Sequence, residues 1–139
     1  MKKINLAITG CMGRMGQQII KSARSDKNFK IVALTENRII NKKIHGIKPN
    51  LNTEEAFKKA NLIIDFTVPK CTIEILKIAS KLKKRVVIGT TGFSKRDEVL
   101  IKKFAISNPI PLVPPVIITV FIYFILIKLK GICYNINLP

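Results

Sequence analysis

Tryptophan is absent from the 139 residues, histidine occurs once, and acidic side chains number 8 against 25 lysines and arginines. Each scarcity closes a class of chemistry. A zinc or non-haem iron site needs three or four converging side chains, and His45 sits in a lysine-rich stretch with no second ligand beside it. No metal is expected. Cys11, Cys71 and Cys133 lie far apart without a C-x-x-C pair, and no apolar signal segment opens the chain. Together these predict a reduced, cytoplasmic protein without a disulfide framework.

The shortage of acids leaves a formal charge of +17, a balance that raises the question of a polyanionic partner. The arrangement of the charge argues against one. Lysines are spread singly or in pairs, at 2–3, 42–43, 58–59, 83–84 and 102–103, with no arginine-rich helix and no interleaved aromatics. A nucleic-acid footprint is a clustered patch or stripe, so no nucleic-acid partner is expected. Abundant Lys, Ile and Asn read instead as the drift of an AT-rich coding sequence. The length gives room for one domain with a real core and hardly for two.

What is present alternates strand and helix signals. "KINLAIT" is a β-branched, apolar run ending on Gly10, and "RMGQQIIKSARS" puts Met15, Ile19, Ile20 and Ala23 on one helical face. "FKIVALTE" is a second strand, closed by Glu36. A basic, turn-rich stretch runs to Leu51, and Asn52 with Glu55 suggests a capping box for the helix "TEEAFKKA". Then come the strand "NLIIDF", the helix "CTIEILKIASKLKK" with Ile73, Leu76, Ile78 and Leu82 on its apolar side, and the strand "RVVIG". Ser94 caps a last helix to about Ser107. This order predicts an α/β fold of the Rossmann type, a doubly wound parallel sheet.

The loop "GCMGRMG", residues 10–16, follows a strand and opens a helix, the context a phosphate-binding turn requires. Gly10 permits the sharp turn, Gly13 lets a phosphate approach the backbone, and Gly16 lets the helix pack closely on the strand. Its G-x-x-G-x-x-G spacing is not the commonest form, and alone it also fits a plain tight turn. Glu36, twenty residues after Gly16, stands where an acid can accept hydrogen bonds from ribose hydroxyls.

With these residues in view, "GCMGRMGQQI", "VALTE", "IDFTVP" and "VVIGTTGF" resemble, in order and spacing, the cofactor-binding half of 4-hydroxy-tetrahydrodipicolinate (dihydrodipicolinate) reductases. The resemblance covers residues 1–113, the expected NAD(P)-binding domain. It implies NAD(P)H-dependent reduction of a small molecule, 4-hydroxy-tetrahydrodipicolinate, to tetrahydrodipicolinate on the diaminopimelate route to lysine, by a cytoplasmic homotetramer. The family's cofactor loop falls on Gly10, Cys11, Met12, Gly13, Arg14 and Met15, with Gly16 closing it and Arg14 near the phosphates. Its ribose acid falls on Glu36. Its nicotinamide end falls on Gly89, Thr90 and Thr91, and on Phe66 and Thr67. Many members carry an arginine directly after the ribose acid, whereas here Asn37 precedes Arg38. Arg38, Lys42 and Lys43 still supply positive charge, and both NADH and NADPH are expected to bind.

The family's "HH…K" and "SGT" motifs, which belong to its second, catalytic domain, do not occur in this sequence, and no catalytic residue is assigned; His45 is not given that role. Beyond Asn108 the texture changes: four prolines fall at 109–115, an apolar run spans Val116 to Ile127, and the last acid is Glu98. Twelve residues are too few for a membrane span, which needs about twenty. A hydrophobic strand or helix that docks on the sheet or on another subunit is a second reading of residues 108–139, of which 114–139 are an atypical apolar tail. The favoured expectation is a disrupted reading frame, so that the chain binds cofactor without turnover. The contrasting function is a non-catalytic basic adaptor on nucleic acid or an anionic membrane surface.

Overall fold

A computed structural model of the protein describes residues 3–107. The apolar run and the whole of 108–139 lie outside the described residues. The elements are β1 (Ile4–Thr9), α1 (Arg14–Ser25), β2 (Phe29–Glu36), β3 (Asn50–Leu51), α2 (Glu54–Phe57), β4 (Leu62–Asp65), α3 (Pro69–Lys81), β5 (Arg85–Ile88) and α4 (Lys95–Ser107). All strand pairs are parallel, in the order β3-β2-β1-β4-β5. The chain winds outward from β1 to β3, then returns to place β4 on the other side of β1. That reversal opens a crevice beyond the carboxyl ends of the strands.

Successive residues of a strand face opposite sides, and here both sides are covered. Leu6, Ile8, Leu34 and Ile64 pack with Ile19, Ile20 and Ala23 of α1. Ala7, Ala33 and Ile63 pack with Phe57, Cys71, Ile75 and Ala79 beneath α2 and α3. The register of β1 against β2 slips between Leu6 and Ala7, so that Val32 and Ala33 both serve the second face. A bulge of this kind bends the strand without exposing its apolar residues.

Helix starts follow local chemistry. Pro69 sits in the first turn of α3, where its missing N–H costs nothing. Ser94 caps α4 as expected, its Oγ accepting from the Asp97 N–H at 3.2 Å while the Asp97 carboxylate accepts from the Ser94 hydroxyl at 2.7 Å. The Ser94 hydroxyl and the Ser94 backbone N–H, which donates to the same carboxylate at 3.0 Å, hold the Asp97 carboxyl below its usual range.

Three expectations are corrected. The cap of α2 is Thr53, which accepts from the Ala56 N–H, and not Asn52; Asn52 turns inward and donates to the Cys71 Sγ at 3.2 Å. The helix itself is a single turn, because Ala60 already bonds back to Phe57 and leads into β4. The basic stretch holds the two-residue strand β3, too short to show periodicity. On α3 the expected Ile73 and Leu76 are buried and Ile78 and Leu82 pack against the core, and Ile75, not named from the sequence, is the most deeply buried apolar residue of the helix.

Candidate cofactor site

β1 ends at Thr9, and Gly10 turns the chain with φ +64, a left-handed conformation natural to glycine. A Cβ at Gly10 would stand 2.8 Å from the Phe66 carbonyl oxygen, and one at Gly16 would run into the Gly10 carbonyl. Both glycines are therefore demanded by the protein's own packing. Gly13 differs: the sole neighbour of an added Cβ would be the Gly10 carbonyl oxygen at 3.3 Å. Gly13 is thus less crowded than the other two, though that oxygen would have to give by a few tenths of an ångström. It is also the N-cap of α1 and provides no side-chain cap, so the first-turn N–H groups of a 12-residue helix face outward with the positive end of its dipole.

Glu36 closes β2 and points back at the loop, where its Oε1 accepts the Met12 N–H at 2.7 Å. Gly10, Met12, Gly13, Glu36, Asn37, Arg38, Phe66, Thr67, Val68 and Cys71 line one open cleft of about 590 Å³ at the carboxyl ends of the strands. Seven sequence candidates thus meet in one place. Others do not line it. Cys11 is fully buried in the core on the α1 side, Gly16 is packed on the loop, Met15 is half-buried, and Arg14 is exposed at the start of α1. Gly89, Thr90 and Thr91 follow β5 and stand behind the cleft wall, Thr91 exposed and Gly89 against the Phe66 ring. Thr90 joins the wall indirectly, its Oγ1 accepting the Thr67 N–H at 3.0 Å.

Four contributors were not singled out from the sequence. Asp65, at the end of β4, is fully buried and accepts hydroxyl hydrogen bonds from Thr9 at 2.6 Å, Thr67 at 2.7 Å and Thr72 at 2.5 Å, with Thr90 at 3.3 Å. The available signal was an acid inside an apolar strand, in "IIDFT", where a lone charge has no business unless partners wait for it. Val68, Asn37 and Cys71 complete the lining. Burial pushes the Cys71 thiol up, and burial with the nearby Glu36 charge pushes Cys11 up to about 11, so neither is a nucleophile at neutral pH.

Among the described residues no group of side chains is arranged to hold a metal ion. None of the described helices is long and apolar enough to cross a membrane. His45 is exposed at the tip of a turn closed by the Ile44–Ile47 bridge and does not line the cleft.

Comparison with known proteins decides the family. The family model described as dihydrodipicolinate reductase, N-terminus, matches residues 4–116. The chain belongs to the dihydrodipicolinate reductase family. It is similar to the 4-hydroxy-tetrahydrodipicolinate reductase of Pelagibacter ubique (strain HTCC1062), with 70% identity over 110 residues, 79% of this chain and 43% of the relative. The enzyme of the same name from Buchnera aphidicola subsp. Acyrthosiphon pisum (strain 5A) is 39% identical over 117 residues, 75% of this chain and 43% of the relative. The chain thus spans less than half the length of these relatives. Among solved structures, a dipicolinate-bound dihydrodipicolinate reductase from Paenisporosarcina sp. TG-14 superposes with a TM-score of 0.61 at 24% identity, over 76% of this chain and 43% of that one. That likeness supports the Rossmann-type fold.

Proposed function

We propose that the cleft binds NADH or NADPH, and that the chain is the cofactor-binding part of a reductase that converts 4-hydroxy-tetrahydrodipicolinate to tetrahydrodipicolinate in the lysine pathway. The observation that carries this is the uncapped start of α1 at Gly13, the least crowded of the loop's three glycines. The protein's packing presses on Gly13 far less than on Gly10 or Gly16, whereas a pyrophosphate approaching the main chain requires glycine there. The first-turn N–H groups would hold the phosphates, with Arg14 beside them, and Glu36 would accept from a ribose hydroxyl. Arg38, on the cleft wall, gives a 2′-phosphate a cation, which supports binding of both nucleotides. Phe66 and Thr67, backed by Gly89, Thr90 and Thr91, border the nicotinamide end.

When bound, the reduced nicotinamide supplies a hydride. The remaining needs are a proton donor and cations for two carboxylates, and the cleft lining has neither histidine nor lysine. The described residues therefore bind and orient the hydride carrier, and the acid chemistry must come from groups outside this cleft. A cytoplasmic homotetramer belongs to the same proposal, checked by light scattering of the purified chain.

The test is a titration of the full chain with NADH and with NADPH, following nucleotide fluorescence, which no tryptophan obscures. Enhancement with both nucleotides, at comparable affinity, is the expected result. No enhancement at millimolar protein rejects the reading. Adding the substrate then reads turnover; little or none is expected of this chain.

A further inference from the structure

Asp65 is fully buried, does not itself line the cleft, and gathers four hydroxyls from four different parts of the chain: Thr9 at the end of β1, Thr67 after β4, Thr72 on α3 and Thr90 after β5. The three short contacts, at 2.6, 2.7 and 2.5 Å, have the length of hydroxyls donating to a carboxylate. Each threonine has one proton to give, and the carboxylate has room for all four. Apolar side chains would hold the strands together equally well. What hydroxyls on a carboxylate add is direction, since each bond fixes a rotamer and a loop position.

The two loops so fixed are also joined directly to one another. Thr67 donates its N–H to the Thr90 hydroxyl at 3.0 Å, Thr72 and Thr90 hydroxyls lie 3.0 Å apart, and the Phe66 ring rests on Gly89. We propose that Asp65 is a positioning residue: through Thr9, Thr67, Thr72 and Thr90 it locks the Phe66–Thr67 edge to the Gly89–Thr91 turn, and so sets the seat of the nicotinamide ring. The inference rests on the cofactor reading above. It assigns the adenosine and pyrophosphate end of the cleft to other residues, and so predicts an effect confined to one end of the ligand.

Thr72→Val keeps the side-chain shape and removes the hydroxyl from a residue that is fully buried and off the cleft wall. Calorimetric titration of the full chain compares NADH with ADP-ribose, which shares the adenosine and pyrophosphate but lacks nicotinamide. Thr72→Val is expected to weaken NADH about tenfold, the size of one hydrogen bond to a charged group, and to leave ADP-ribose unchanged. Thr72→Ser is expected to restore NADH binding. Thr9→Val, likewise buried but on β1, carries the same comparison if the helix variant fails to fold. Unchanged NADH binding, or equal weakening of both ligands, overturns the positioning role. Failure of the unmodified chain to bind either ligand is a separate outcome, and removes the cofactor reading together with it.

Discussion

At the β1–α1 end of the cleft the wall is main chain, a glycine turn and a bare helix start with one carboxylate, Glu36, holding the loop by the Met12 N–H. At the β4–β5 end it is side chain, a buried carboxylate with four threonines behind a phenylalanine. The first end can receive an anion with little rearrangement, because helix-start N–H groups point outward whatever side chains surround them. The second gains its shape from rotamers, and loses it when one member is removed. Both ends face one cleft, yet they should fail differently.

The largest expected effect breaks the side-chain end. Asp65→Ala leaves several hydroxyls without their acceptor inside the protein, and stability should fall by about 4 kcal/mol, near the upper limit for single substitutions. Urea unfolding followed by circular dichroism checks it. A loss within surface-substitution range would mean that the threonines find other acceptors. Next is Gly16→Ala at the main-chain end. Its methyl meets the Gly10 carbonyl, so α1 must move off β1, at a cost of about 2–3 kcal/mol and with loss of nucleotide binding.

Gly13→Ala sharpens the contrast between glycines of one loop. The Gly10 carbonyl oxygen, at 3.3 Å, must give by a few tenths of an ångström to admit the methyl, so stability should fall by no more than about 1 kcal/mol. Nucleotide affinity should nevertheless drop by about tenfold or more, since the methyl stands where a phosphate would sit. Equal losses of stability and affinity would make Gly13 one more packing glycine.

The difference in building material also explains what could be seen in advance. A main-chain site leaves a local signature, so "GCMGRMG" with Glu36 placed the turn, the helix start and the acid, and strand–helix alternation placed the sheet. Asp65 has partners 56, 2, 7 and 25 positions away, and no local pattern unites them. The same holds for Thr90, whose link to Thr67 exists because β4 and β5 are neighbours in the sheet. Cys11 shows the opposite error. It lies within the loop motif, yet its side chain turns under the loop into the α1 core, because the tight turn at Gly10 sends alternate side chains inward. β3 and the one-turn α2 escaped for lack of length, since two and four residues carry no period.

The two described thiols make the comparison measurable without ligand. Cys11 lies under the main-chain end with Glu36 as its charged neighbour, and Cys71 lies beside Asp65 and Thr67 at the other end. Both are raised chiefly by burial. In the unfolded chain Cys11 titrates at its ordinary 9.0, whereas in the fold it is pushed up to about 11. Between those values the unfolded state has released a proton that the folded state keeps, so stability from this group is complete below pH 9 and is lost as pH rises toward 11. Cys11→Ala removes the titrating group, and the stability difference between it and the parent should shrink over that interval while staying constant from pH 6 to pH 8. A flat difference up to pH 11 would mean that Cys11 is accessible to water under the loop. Peptide-resolved alkylation at pH 7 completes the test, with Cys11 and Cys71 both protected in the parent. In Asp65→Ala the Cys71 thiol should become reactive first, because the side-chain end loosens while the glycine turn over Cys11 still holds.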